Sequence, residues 1–279
     1  MTRYSLMRAM KRASRPEWIV AVLAATLAAC APLPPAANQA ADQTPHQAPY
    51  QAAASGTARP ADGPLPVPPN LLALTQPAGQ KRLMTTADNQ SYWPLSEYFE
   101  TQRNEAYCSV ATSVMVLNAL GIRRPESTLY PDFPYFSQED FFRSVNPQVA
   151  TAAGVSKEGM TLDQLSAALS VFPVEVRAFH AGDLTLDQFR DLIRDTTGQS
   201  NRFALLNFRR MEIGETGGGH WSPLAAYDAA SDSALLLDVA RYKYPAVWVP
   251  VTQLYAGALA ADSVSGLSRG IVIVGTRTN

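Results

Sequence analysis

The stretch Thr101-Gln-Arg-Asn-Glu-Ala-Tyr-Cys-Ser-Val-Ala-Thr-Ser-Val-Met-Val-Leu-Asn-Ala-Leu-Gly121 decides the reading of this chain. It places Cys108 at the start of a helix, because Val110, Val114 and Leu117 recur at i, i+4 and i+7. Gly121 suits a left-handed cap at its end, and Pro125 follows. A thiol at a helix N-terminus faces unpaired N–H groups and the positive end of the macrodipole. Both favour the thiolate, which is the nucleophilic form. Gln102, a short way upstream, can bring its amide beside the thiol as an oxyanion donor. The alternative is a buried structural cysteine on an amphipathic helix.

Outward from this stretch, the 279 residues allow one or two domains. A net charge of −1 gives no reason to expect nucleic acid as a partner. There are two cysteines, Cys30 and Cys108, and the N-terminus separates their fates. Arg3, Arg8, Lys11, Arg12 and Arg15 precede the apolar run Trp18-Ile-Val-Ala-Val-Leu-Ala-Ala-Thr-Leu-Ala-Ala-Cys30. A basic segment before a short apolar one is a secretory signal peptide, here residues 1–29. The apolar run is about half of the ~20 residues a spanning helix needs. Leu27-Ala-Ala-Cys30 resembles the bacterial lipobox, which implies cleavage before Cys30 and lipid on its thiol and new amine. Several acyl chains anchor a protein stably. Ala31 in place of Asp implies, by the same resemblance, the periplasmic face of the outer membrane. An ordinary secreted protein with an incidental Cys30 is the alternative. With Cys30 lipidated, Cys108 is an unpaired thiol in an oxidising compartment, which marks it as reactive.

Ten of the 21 prolines lie between Pro32 and Pro69. Residues 30–80 therefore read as a lipid-bearing cysteine followed by an extended Pro/Ala-rich linker, with His46 idle inside it. The folded domain is expected over 81–279.

In that domain Tyr92, Trp93, Tyr98 and Phe99 are expected beside the cysteine. Ser137 reads as an N-cap, with Asp140 three residues on. Thr161 caps a helix striped by Leu162, Leu165 and Leu169, and 186–193 is another helix. Short apolar runs then follow at 203–208, 222–227, 233–239, 246–249 and 270–275, split by turn residues. Helices first and strands later predict an α+β domain with a mostly antiparallel sheet.

His220 opens one of these strands and Asp238 closes the next, with a hairpin turn at 228–232 between them. A hairpin would bring the two residues together. Cys108, His220 and Asp238 are then the ingredients of a nucleophile, a base and an orienter. His180, in an Ala-Gly-Asp context, reads as a surface residue. No metal is expected, since one cysteine and two separated histidines match no zinc-ligand spacing.

The segments Gln102 to Cys108, Leu117-Asn-Ala-Leu120, Gly219-His-Trp-Ser-Pro223, Leu237-Asp-Val-Ala-Arg-Tyr-Lys-Tyr-Pro245 and Ser268-Arg-Gly270 resemble the catalytic domain of phytochelatin synthases. The resemblance runs from about residue 90 to 276 and implies a papain-like fold, with the nucleophile helix in a helical half and a sheet half behind it. It implies a thiol enzyme that cleaves the Cys–Gly bond of glutathione, releases glycine and holds γ-glutamylcysteine as a thioester for water or a second glutathione. By the same resemblance Cys108, His220 and Asp238 are the triad and Gln102 the oxyanion residue. Asp262 and Arg269 sit near the γ-glutamyl group, and Arg241 and Tyr244 serve the second substrate. A plain polar strand edge is the alternative for the last pair. No cofactor is implied, and heavy-metal ions enter only as stimulating metal–thiolates of the substrate.

Two departures bear on this reading. Ser109 stands where the family has glycine, and no Cys-rich region follows the last strand before Asn279. Hydrolysis to γ-glutamylcysteine is therefore expected over polymerisation. The rivals are a papain-like peptidase acting on another periplasmic peptide and a non-catalytic thiol-peptide-binding lipoprotein.

Overall fold

A computed structural model describes residues 63–123, 132–133 and 135–277. The signal peptide, Cys30, His46 and the linker up to residue 62 lie outside the described residues. Residues 63–80 do not belong to a linker. They carry a short strand, β1 (Leu72–Ala73), and the start of α1 (Pro77–Thr85). Leu65 N–H also donates to Lys243 O. Prolines at 64, 66, 68 and 69 disguised this segment as a tether.

The chain continues through α2 (Tyr92–Glu97), α3 (Cys108–Ala119), α4 (Ala152–Glu158), α5 (Leu162–Leu169), β2 (Val174–His180), α6 (Leu186–Thr197), β3 (Arg202–Arg209), β4 (Gly219–Asp228), β5 (Ser233–Leu236), β6 (Val247–Pro250), α7 (Val251–Leu259) and β7 (Gly270–Thr276). All seven strands form one antiparallel sheet in the order β1-β6-β5-β4-β3-β7-β2. The α+β, antiparallel expectation holds.

Strand β3 shows how the sheet divides the core. Phe203 and Leu205 join α3 and α5 on one face, whereas Ala204, Leu206 and Phe208 join α6 and α7 on the other. Helix α3 is buried on every side from Cys108 to Asn118, more completely than a single apolar stripe predicts. It ends in a Schellman motif: Gly121 N–H donates to Asn118 O, Ile122 N–H to Leu117 O, and Gly121 takes a φ of 65°. Helices α5 and α6 each begin with a capping box, Thr161 with Gln164 and Thr185 with Gln188.

The Ser137–Asp140 pair does close a turn, with Ser137 Oγ 2.9 Å from Asp140 Oδ2. It opens only a three-residue 3-10 helix, Phe141–Arg143, and Ser137 is not its N-cap. His180 is no turn residue. It is the last residue of β2, paired with Gly270, and its side chain is only one-fifth exposed between Ser268 O and Asp163. Tyr92 and Trp93 line a surface cleft with Leu74, Leu83 and Met84, and Tyr92 and Phe99 pack against the core cluster that includes Cys108.

Candidate active site

Cys108 is the first residue of α3, 6% exposed. Strand β4 runs past it, and the backbone N–H groups of Trp221 and Ser109 point at its sulfur. The Trp221 indole is pinned in turn, since Nε1 donates to Met160 O at 2.9 Å just before α5. Burial pushes the Cys108 thiol above its ordinary value, against the pull of those N–H groups and of Arg210. Against the expectation from the helix N-terminus alone, desolvation outweighs the favourable N–H groups around the sulfur.

His220, the second residue of β4, lies where the hairpin argument put it. Its Nε2 is 2.9 Å from Asp238 Oδ1 and 3.0 Å from Ser222 Oγ. With Nε2 held by Asp238, the other ring nitrogen, Nδ1, remains for proton exchange. Burial lowers the His220 pKa, and Asp238 opposes this. Burial alone would raise Asp238, but His220 and Arg210 hold it well below the usual carboxylate range. Asp238 also accepts from Ala240 N–H at 2.8 Å, so its orientation is fixed from three directions.

Two charged residues behind this pair were not anticipated. Arg210, just after β3 at the start of a short 3-10 helix, donates through Nη1 to Asp238 Oδ2 at 2.6 Å and through Nη2 to Oδ1 at 2.9 Å. The same Nη1 bonds Glu215. Arg210, Glu215 and Asp238 are all buried. In sequence, Arg209-Arg210 beside a strand end reads as solvated surface. The one available hint is the proximity of Arg210 to His220 across a short, glycine-rich connection.

A cavity of about 400 Å³ opens over the sulfur, lined among others by Cys108, His220, Trp221, Asp262 and Arg269. Arg269 Nη1 bonds Asp262 Oδ2 at 2.9 Å and Asn207 Oδ1 at 2.8 Å. Its Nε is buried without a partner. Burial lowers the Arg269 pKa against the pull of Asp262 and Cys108. Asp262 is shaped by its own loop, with Oδ1 accepting from Val264 N–H at 2.9 Å. Gly219 makes room for this cation, because a Cβ there would stand 2.5 Å from Arg269 Cζ and Nη2.

The remaining candidates take other places. Gln102 spends its two amide N–H bonds on Asn104 O (2.8 Å) and Tyr242 Oη (3.0 Å), and its Oε1 is buried without a partner. An oxyanion role would require one of those bonds to be exchanged. Arg241 lies over the Phe99 ring at 4.6 Å and bonds Phe99 O. Tyr244 is 2% exposed, accepts from Thr216 N–H at 2.8 Å and carries the Arg210 guanidinium 5.3 Å above its ring. Tyr244 is thus a support for the charged cluster, and neither residue lines the cavity.

A thiol at a helix N-terminus and a histidine backed by an aspartate, with thiol and histidine lining one cavity, make a site suited to nucleophilic acyl chemistry. The family profile described as phytochelatin synthase matches residues 63–271. The chain is 30% identical over 213 residues to glutathione gamma-glutamylcysteinyltransferase 3 of Lotus japonicus, covering 75% of this chain and 43% of that protein. It is 31% identical over 191 residues to glutathione gamma-glutamylcysteinyltransferase 1 of Triticum aestivum, covering 68% and 37%. Against the glutathione gamma-glutamylcysteinyltransferase of Schizosaccharomyces pombe it is 28% identical over 187 residues, covering 66% and 43%. The chain belongs to the phytochelatin synthase family. It spans about two-fifths of the length of these relatives.

Proposed function

We propose that this protein is a papain-like thiol acyltransferase acting on glutathione. The observation that carries the reading is the shared cavity: Cys108 and His220 line it together with the Asp262–Arg269 pair. A γ-glutamyl end bears an ammonium and a carboxylate, and Asp262 and Arg269 offer the complementary charges. Cys108 Sγ loses its proton to His220 Nδ1 and attacks the carbonyl carbon of the Cys–Gly bond. The oxyanion takes the Cys108 N–H, with Gln102 as second donor once it is released from Tyr242 or Asn104. His220 returns the proton to the leaving glycine amine, the C–N bond breaks, and γ-glutamylcysteine remains as a thioester. Water, or the amine of a second glutathione, then gives its proton to His220 and attacks the thioester, which frees the thiol. Heavy-metal ions act, in this reading, as thiolate complexes of the substrate.

Mass spectrometry of the full-length protein with glutathione at neutral pH tests this, with Cys108→Ala beside it. Glycine and γ-glutamylcysteine, absent from the variant, are the expected products, and longer γ-glutamylcysteine chains identify the second acceptor. No glycine from the intact protein refutes the assignment. Lipid on Cys30 and attachment to the periplasmic face of the outer membrane are part of the same proposal. The supporting feature is the Leu27-Ala-Ala-Cys30 segment, and the test is the acyl mass on the Cys30 peptide.

A further inference from the structure

We propose that Glu215 is a positioning residue of this site: through Arg210, its charge sets how strongly Asp238 supports the His220 imidazolium. The geometry is a buried chain of alternating charge. His220 Nε2 meets Asp238 Oδ1, Asp238 meets Arg210 through two parallel bonds, and Arg210 Nη1 is shared between Asp238 Oδ2 and Glu215 Oε2. One guanidinium thus serves two carboxylates, at 0% and 2% exposure for Asp238 and Glu215.

A structural ion pair needs only one of them. The second carboxylate is costly to bury, and its Oε1 has no hydrogen-bond partner. The charge arithmetic suggests what it supplies. With Glu215 neutral, Arg210 and Asp238 balance, and little field remains to hold a proton on His220. With Glu215 ionised, the triad Glu215–Arg210–Asp238 carries one net negative charge, and His220 is the titratable group in contact with it. An ionised Glu215 therefore stabilises imidazolium, and with it the thiolate–imidazolium pair that attacks.

The groups facing Glu215 are Arg210 and Asp238, with Lys243 farther off. Lys243 also acts against the His220 cation. Tyr244 closes the remaining side by taking Thr216 N–H and stacking under Arg210. Burial, opposed by Arg210 and reinforced by Asp238, lifts the Glu215 pKa to about 7. The sign follows: below neutrality Glu215 is protonated and His220 loses support, and above it the support is present.

This inference rests on Cys108 and His220 acting as a pair, but its test needs no substrate. The rate of Cys108 alkylation by iodoacetamide is followed on the Cys108 peptide from pH 5.5 to 9, in the full-length protein and in Glu215→Gln. The wild type should show a rise in rate centred near pH 7. In Glu215→Gln, which keeps the shape and one bond to Arg210, that rise should move up by at least one pH unit. The rate at pH 7.5 should fall at least fivefold. With glutathione, kcat should fall and KM should hold. Glu215→Asp, which keeps the charge, should retain a rise near neutrality, and it stands as the readout if the Gln variant does not fold. Superimposable profiles, or a uniform loss at every pH, overturn the proposal. A failure of the glutathione assignment would leave the alkylation profiles untouched, so the two ideas fall separately.

Discussion

Replacing Arg210 by Met tests the energetics of the buried cluster. The side chain is 4% exposed and makes two bonds to Asp238 and one to Glu215. Methionine fills most of the volume, so the loss is chiefly electrostatic. Breaking a buried pair by removing one partner costs about 3–5 kcal/mol, because the other charge is left uncompensated. Here two carboxylates are left. Glu215, already at about 7, escapes by taking up a proton, and Asp238 keeps His220. The expected destabilisation is therefore about 3 kcal/mol at pH 7.5, at the lower end of that range. It should also depend on pH in a defined direction. In the variant the folded-state Glu215 pKa rises further above that of the unfolded chain, while Asp238 stays ionised beside His220. The folded protein then holds protons that the unfolded chain releases, and stability falls as pH rises. In the wild type Asp238 stays ionised well below the usual range and adds nothing to that slope, while Glu215 adds most of it. Urea unfolding followed by tryptophan fluorescence at pH 5.5 and 7.5 measures this. The variant should regain about 0.5–0.8 kcal/mol relative to wild type at the lower pH, because wild-type Glu215, at about 7, already supplies most of the slope across this interval. A loss below about 1 kcal/mol, the worth of a surface pair, or a loss equal at both pH values, would refute the reasoning.

Gly219→Ala forces a Cβ against the Arg269 guanidinium, which must loosen its bonds to Asp262 and Asn207 to make room. KM for glutathione should rise about 10- to 100-fold, the loss of one charged hydrogen bond, with kcat changed less; unchanged KM would remove Arg269 from substrate binding. Thr161→Ala removes one half of the capping box of α5: Thr161 Oγ1, which accepts from Gln164 N–H at 3.3 Å, is lost, while the backbone N–H at 161 still donates to Gln164 Oε1 (2.9 Å). A loss of about 1 kcal/mol, or about 2–4 °C in Tm, is expected by thermal unfolding, and no change would mean that the cap is idle.

Local signals carried most of what the sequence revealed. Helix α5 was readable because Thr161 opens it and Leu162, Leu165 and Leu169 follow at helical spacing, and α6 from Phe189 and Ile193 at i and i+4. The β4–β5 hairpin was readable from two apolar runs around 228–232, and that hairpin brought His220 to Asp238. The misses have physical causes. Val174–His180 mixes charged and apolar residues because β2 is an edge strand, half of it in solvent. Helix α7 follows Pro250 without a polar cap and looks like a continuing strand. Arg210 and Glu215 were invisible because nothing local marks a charge whose partner arrives through the fold. Arg241 and Tyr244 keep their motif, but the structure spends them on Phe99 and on Arg210.

The place of β7 in the sheet has a consequence for biogenesis. This strand comes last among the described elements, yet it lies between β3 and β2. Edge strand β2 therefore has no sheet partner until residues 270–276 exist, and the arginine immediately before them is the one that reaches the cavity. A chain emerging from a ribosome or a translocon can form α3 and expose its cysteine long before it owns a substrate pocket. The thiol and the arginine that borders its cavity thus appear in sequence rather than together. Non-local pairing of this kind closes slowly. During that interval the cysteine is protected only by how deeply α3 has already been covered.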